Sequence, residues 1–180
     1  MTLGRDNLND AAYKAIEDLW AQTVKARALC PYQDMSAVGT SGYNSPPWYQ
    51  QRGATFFVNQ ATKLTPSDVQ ELLQIARSIN CSFVVSMASV LETHDIVRSG
   101  DPPDRNKEGG DHAQLTKWLR NCFAHGTWKF NANDKRHVKA RGLLVCLLPE
   151  AQDDPDYDLS IDTILEPLKD KVLSYIKAVT

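Results

Sequence analysis

The sequence has no long apolar run and no paired cysteines. None of its four cysteines belongs to a C-x-x-C pair, the spacing typical of zinc and redox sites. No stretch approaches the ~18 uninterrupted apolar residues that a membrane-spanning helix needs. Near the amino end, Arg5, Asp6 and Asp10 interrupt any apolar run of the secretory type. We therefore expect reduced thiols, no membrane segment and a cytoplasmic location.

The chain also lacks an excess of positive charge. Its 20 lysines and arginines face 22 aspartates and glutamates, so the net charge is -2. Proteins that coat nucleic acid without sequence preference depend on many lysines and arginines. Any nucleic-acid site on this chain must therefore be a local patch.

Several sequence signatures of cofactor and repeat proteins are missing as well. We find no glycine-rich phosphate loop, no internal repeat and no coiled-coil heptad. We therefore expect no cofactor. A hydrophobic content of 42% in 180 residues is enough for one sizeable core, and we predict a single domain over residues 1–180.

Apolar residues at helical spacing predict a mainly α fold with about five helices. One helix covers residues 9–28. Another begins after Thr65, an N-cap followed by proline and an acid in the first turn, and runs to residue 79, with 81–97 continuing it or forming the next helix. A further helix opens at Asp111, and the last is capped by Ser160 or Asp162 and ends near residue 179.

Three stretches are predicted as loop or strand. Residues 31–47 are rich in glycine, proline and asparagine and indicate a long loop. Residues 48–63 fit a helix or a short strand, and we favour the helix. Residues 127–130 alternate, 131–134 form a turn and 137–148 are β-branched and apolar at their end, which predicts a β-hairpin after the helix that opens at Asp111, with 157–161 as a third strand.

The segment 119–126 places three polar side chains at the predicted end of a helix. Asn121 and His125 are four residues apart, so an asparagine amide can hold one imidazole nitrogen. Arg120 lies on a different face, and Gly126 is a typical C-terminal cap. An arginine that matches phosphate oxygens and a histidine that transfers protons near neutrality suit phosphodiester chemistry. The alternative is a solvated charge and a capping residue at the helix end.

The pattern Arg120-Asn-x-x-x-His125, followed by Gly126 and preceded by an amphipathic helix, resembles the Arg-x4-6-His signature of the HEPN superfamily, the higher eukaryote and prokaryote nucleotide-binding domains. The polar residue after the arginine, here Asn121, also belongs to that signature. The resemblance covers residues 115–128, and the rest of the chain agrees only in architecture. It implies a helical bundle, a metal-independent endoribonuclease that acts as a dimer, and a place in toxin-antitoxin or phage-defence systems.

On this reading His125 transfers the proton, Asn121 orients its ring and Arg120 neutralises the phosphate. RNA is the expected substrate, a homodimer the expected assembly and a cognate antitoxin protein a possible partner. The alternative function is a non-catalytic HEPN-like module that binds RNA, nucleotide or protein. A regulatory protein that binds a small nucleotide is the third possibility.

A basic cluster in the predicted hairpin is the candidate RNA-binding patch. Only Asp134 offsets its five cations, which are Lys129, Lys135, Arg136, Lys139 and Arg141. An acidic segment follows directly at 150–162, so the two stretches could instead neutralise each other.

Two acidic residues are candidates for supporting the site, and a metal centre is not expected. Glu92 and Asp95, near the end of a predicted helix, could face Arg120 and orient or neutralise it, or could simply lie in a solvated last turn. His112, His125 and His137 match no zinc-ligand spacing. We predict no metal.

Overall fold

The computed structural model describes residues 5–30, 37–55, 57–98, 100–124, 129–153 and 157–179. The described chain is mainly helical with one small antiparallel sheet, which confirms the predicted fold class. Its helices are α1 (Arg5–Leu29), α2 (Pro47–Gln50), α3 (Pro66–Thr93), α4 (Gly110–Phe123), α5 (Lys135–Leu147) and α6 (Glu166–Ala178). Its strands are β1 (Gly42–Asn44) and β2 (Phe57–Asn59).

The long helix α3 packs against α1 on one side and α4 on the other. The rings of Trp20 in α1 and Phe83 in α3 lie 5.1 Å apart between centroids. α4 also packs against α5 and α6, and α6 returns to α1. These contacts enclose a large apolar core and leave the carboxyl end of α4 between α3 and α5.

α3 begins where the sequence predicts. Thr65 Oγ1 accepts from the backbone N–H of Asp68, and the Asp68 carboxylate accepts from the backbone N–H of Thr65 at 2.7 Å, which is a complete capping box. The helix then runs without a break to Thr93. Buried side chains continue at helical spacing through the predicted boundary near residue 80, so the two predicted segments form one helix.

The small sheet lies before α3 and occupies part of the stretch for which we favour a helix. Residues 47–50 are helical, but 57–59 form a strand that pairs with β1 in the register Gly42↔Asn59 and Asn44↔Phe57. The preference for helix is therefore wrong at 57–59. Gly42 permits the pairing because a Cβ there would lie 2.5 Å from the ring of Phe57.

The predicted hairpin after α4 is wrong, because α5 occupies this stretch. Asp134 caps the helix by accepting from the backbone N–H of Arg136 at 2.9 Å. His137, Ala140 and Leu144 are all buried at a spacing of three and four residues, which is the period of a helix face. This packing against α4 outweighs the β-branched and apolar composition that favours a strand.

The predicted third strand is also wrong. Residues 157–160 have no regular structure, and a π-helical turn at Ile161–Leu165 leads into α6. Tyr157 and Leu159 are fully buried and have φ values of 54° and 49°, which no strand allows. Asn80 of α3 holds this segment by donating to the carbonyl oxygens of Asp158 and Leu159 at 2.5 and 3.1 Å.

Among the described helices, none is both long enough and apolar enough to cross a membrane.

Candidate nucleic-acid site at the end of α4

α4 is positioned by a glycine at its start and an apolar stripe along its length. Gly109 has a φ of 73°, and a Cβ there would collide with the carbonyl oxygen of Lys171 in α6. Glycine therefore allows α4 to begin directly against α6. Leu115, Leu119 and Cys122 are buried along its inner side, so the outer side presents polar residues at the carboxyl end.

Arg120 is held by two neighbours. Its Nη2 donates to Oε2 of Glu92 in α3 at 3.3 Å, and its Nη1 donates to Oδ1 of Asn121 at 3.1 Å. The side chains of Arg120 and Glu92 are 34% and 23% exposed to solvent. The guanidinium is thus oriented but still open to solvent. Two of its nitrogens donate hydrogen bonds to described residues.

Of the two acids expected to support Arg120, Glu92 contacts it and Asp95 does not. Asp95 is exposed beyond the end of α3, with a φ of 56°. Its backbone N–H donates to the carbonyl oxygen of Glu92 at 3.2 Å. In the described ranges its carboxylate makes no ion pair with Arg120.

α4 ends at Phe123, with Ala124 as its C-cap. His125 and Gly126 lie outside the described residues. The pairing of Asn121 with the His125 imidazole and the cap at Gly126 therefore stay predictions. The Asn121 carbonyl oxygen accepts a hydrogen bond from Arg120, and its amide nitrogen could donate to the imidazole.

The basic cluster lies at the start of α5 and on α5 itself, next to the carboxyl half of α4. Arg136 forms an ion pair with Asp134 at 2.6 Å. Lys139 Nζ lies 4.1 Å from the centre of the Trp118 ring in α4. Lys129 and Lys135 are exposed. Lys139 therefore lies against α4, and Lys135, Arg136 and Lys139 share a helix rather than a hairpin.

Arg141 turns to the other side of α5. Its guanidinium carbon lies 5.1 Å from the centre of the Phe130 ring, and its Nη2 donates to the carbonyl oxygen of Gln152 at 3.2 Å. Asp158, in the following acidic segment, forms an ion pair with Arg77 of α3. Within the described ranges, no ion pair joins Lys129, Lys135 or Lys139 to the acidic segment.

Trp118 and Arg120 occupy opposite flanks of the outer side of α4. A helix turns by about 100° per residue, so the two side chains point about 200° apart and Asn121 lies between them on the exposed side. Trp118 faces α5 through Lys139, and Arg120 faces α3 through Glu92. Among the described residues no ion pair or hydrogen bond joins Lys139 to Arg120, and Asn121 lies between these two flanks of α4.

Cys122 marks where α4 and the start of α5 meet. Burial, followed by the nearby Asp134 carboxylate, raises the pKa of its thiol to about 11, while Arg136 acts in the opposite direction. The thiol is therefore protonated at neutral pH, and Cys122 is not a candidate nucleophile.

His137 is a residue whose burial the sequence analysis missed. It is 3% exposed and packs against the rings of Phe130 and Tyr157, and among the described residues its Nδ1 has no hydrogen-bond partner. The spacing of His137, Ala140 and Leu144 was the signal that could have identified it as a core residue. Over the described ranges, no three His, Cys, Asp or Glu side chains are grouped in a way that could hold a metal ion.

Comparison of the chain with protein-family models, with curated proteins and with solved structures finds no match.

Proposed function

We propose that this protein is a metal-independent endoribonuclease of the HEPN type. The observation that carries the proposal is the arrangement of Arg120, which Glu92 and Asn121 orient at the exposed end of α4. A guanidinium of fixed direction and partial exposure suits the recognition of a phosphate group. His125 comes five residues after Arg120 in the chain, so the residue type needed for proton transfer belongs to the same segment.

The mechanism needs no nucleophile from the protein, because RNA carries its own. The 2′-hydroxyl attacks the adjacent phosphorus, the bond to the 5′-oxygen breaks, and a 2′,3′-cyclic phosphate and a 5′-hydroxyl remain. His125 transfers one proton, either from the 2′-hydroxyl or to the leaving 5′-oxygen, and solvent water accepts or supplies the other. Arg120 stabilises the charge that grows on the phosphorane oxygens.

The surroundings of α4 are consistent with an anionic substrate. Five cations and one acid lie between residues 129 and 147, although the whole chain has a net charge of -2. Such a local excess attracts a polyanion and makes its binding dependent on salt. Asp134 is paired with Arg136, so the remaining cations dominate this surface.

We also propose that the active form is a homodimer in which two subunits share each site. Arg120 turns towards α3, away from the α5 side of α4. His125 of the second copy would then complete the catalytic site around a phosphate bound to Arg120. A role in a toxin-antitoxin or phage-defence system, a cognate antitoxin protein and a cytoplasmic location belong to the same proposal.

The test is cleavage of single-stranded RNA by the purified protein in excess EDTA. We expect products with a 2′,3′-cyclic phosphate and a 5′-hydroxyl, and no cleavage when the attacked nucleotide is 2′-deoxy. Cleavage only after a divalent metal is added, or equal cleavage of the deoxy substrate, would show that the assignment is wrong.

The second candidate function is a non-catalytic module that binds RNA, nucleotide or protein. The ion pair with Glu92 favours it, because a carboxylate beside Arg120 lowers the charge available to a phosphorane. Binding of RNA with no cleavage under any of these conditions would establish this function instead.

A further inference from the structure

Trp118 and Lys139 form a cation–aromatic pair on the surface shared by α4 and α5. The Lys139 ammonium lies 4.1 Å from the ring centre, while the ring is half-buried and the lysine is exposed. The ring packs against the core, and the exposed lysine covers it on the solvent side. An aromatic ring beside a cation is the combination that single-strand binders use.

The charges around this pair favour an anionic occupant. α5 contains four lysines and arginines and no acid. Asp134, the acid directly before α5, accepts hydrogen bonds from both the side chain and the backbone N–H of Arg136. Lys135 lies one helical turn before Lys139, so the two ammonium groups share a face of α5. A chain of phosphates would neutralise this face, whereas an acidic partner is absent from the described residues around it.

The pair is continuous with the proposed catalytic segment. Asn121 lies three residues after Trp118 and shares the outer side of α4 with it, and Asn121 in turn accepts a hydrogen bond from Arg120 at 3.1 Å. From Trp118 to Ala124 the helix axis advances by about 9 Å. A nucleotide at Trp118 therefore lies within a few nucleotides of a phosphate held at the end of α4.

We propose that Trp118 is a stacking platform for an unpaired base of single-stranded RNA and that Lys139 binds the adjoining phosphate. On binding, the base replaces the ammonium over the ring, and the ammonium moves to the phosphate. Stacking of a base exceeds an exposed cation–aromatic contact in strength, so the exchange is favourable. The proposal rests on the proposed function and adds that the substrate is unpaired near the cleaved bond.

The experiment measures binding rather than cleavage. Fluorescence anisotropy measures binding of a short, labelled 2′-O-methyl RNA strand at low salt and in EDTA. This strand lacks the attacking hydroxyl and so cannot be cleaved. We expect Trp118→Ala to weaken binding by about 5- to 150-fold and Trp118→Phe, which keeps an aromatic ring, to retain most of the affinity. Lys139→Gln should make the plot of log binding constant against log salt concentration less steep, by the slope of about one phosphate contact.

A matched control is available at Trp48. This ring also lies beneath an arginine, with the Arg52 guanidinium carbon 5.7 Å from its centre, but Arg52 is paired with Glu166 at 2.6 Å. The charge of Arg52 beside this ring is therefore already neutralised by Glu166. Trp48→Ala should bind the strand like the wild type, and circular dichroism should show that both tryptophan variants are folded.

A second arm uses the wild-type protein and so does not depend on folding of a variant. A series of strands, each with one abasic position, should lose affinity at one position far more than at the others. Equal affinity of Trp118→Ala and wild type, or an equal loss at every abasic position, would overturn the platform and leave the nuclease proposal intact. If the platform variants lose affinity but unmodified RNA is never cleaved, the platform stands and the nuclease proposal fails. Failure of the wild type to bind any strand would overturn both.

Discussion

Arg120 of α4 donates a hydrogen bond to Glu92 in the last turn of α3, with 3.3 Å between Nη2 and Oε2. The two residues are 28 positions apart in the sequence, so this contact depends on the packing of α3 against α4. The contact fixes the direction of the Arg120 side chain and leaves it partly exposed to solvent. The consequences for activity and for stability therefore differ, and they can be measured separately.

Replacement of Arg120 should affect activity much more than stability. A partly exposed ion pair contributes about 0 to 1 kcal/mol, so we expect Arg120→Ala to melt close to the wild type. The loss of a group that stabilises a phosphorane should lower the cleavage rate by about 100- to 1000-fold. Thermal melts and single-turnover cleavage measure the two effects. Arg105→Ala, which removes an exposed ion pair with Asp111 at the start of α4, is the control that should change neither.

The shared site can be tested by mixing two inactive variants. Light scattering should give twice the monomer mass of 20.1 kDa. If Arg120 and His125 act from different subunits, a mixture of Arg120→Ala and His125→Ala should recover on the order of a quarter of the wild-type activity, because half of the dimers are mixed and one of their two sites is complete. A monomer by light scattering, or no recovery after subunit exchange, would contradict the composite site.

Asn80 should be essential for stability. Its side chain accepts from Arg27 Nε at 2.7 Å and donates to two carbonyl oxygens in the segment before α6, and it is 2% exposed. Asn80→Ala leaves a buried guanidinium and two carbonyl groups without these partners, so we expect a loss of about 2 to 4 kcal/mol in the free energy of unfolding. Urea titration measures this loss. Ser89→Ala, which removes an exposed hydroxyl on the same helix, should stay within about 0.5 kcal/mol.

The cap of α5 should make a contribution to stability that depends on pH. The side-chain hydrogen bond from Arg136, followed by the one from its backbone, lowers the pKa of Asp134 to about 2. Since the folded pKa lies below the unfolded one, the carboxylate stabilises the fold above about pH 4, and this contribution disappears as the pH falls through about 2. Asp134→Asn keeps the cap but loses the charge. Its melting temperature should lie below that of the wild type at pH 6 and converge with it near pH 2. A constant difference across this range would contradict the assignment.

Local signals in the sequence were sufficient for the longest elements. Thr65, Pro66 and Asp68 define the start of α3 through contacts within one turn, and such contacts depend on neighbours in the chain alone. α1 and α3 also have enough apolar positions at helical spacing for the period to be clear. Helices of this kind can be predicted because the local preference and the buried face agree.

α5 shows where local signals were ambiguous. Its apolar end, residues 143–147, and the turn at 131–134 favour a hairpin, although a short apolar run by itself does not distinguish a strand from a buried helix. The choice depends on tertiary packing, because His137, Ala140 and Leu144 are buried in the folded chain and α5 packs against α4. Tyr157 and Leu159 are a stronger case, because their positive φ values are stabilised by contacts from α3, far away in the sequence.

The candidate site divides in the same way. The residue types of the motif, and the face shared by residues three or four positions apart, follow from the sequence because a helix repeats regularly. The pairing of Arg120 with Glu92 rather than Asp95, and of Lys139 with Trp118, required the packed structure. Each pair joins different helices, and the order of residues along one helix contains no information about which side chain of another helix will lie against it.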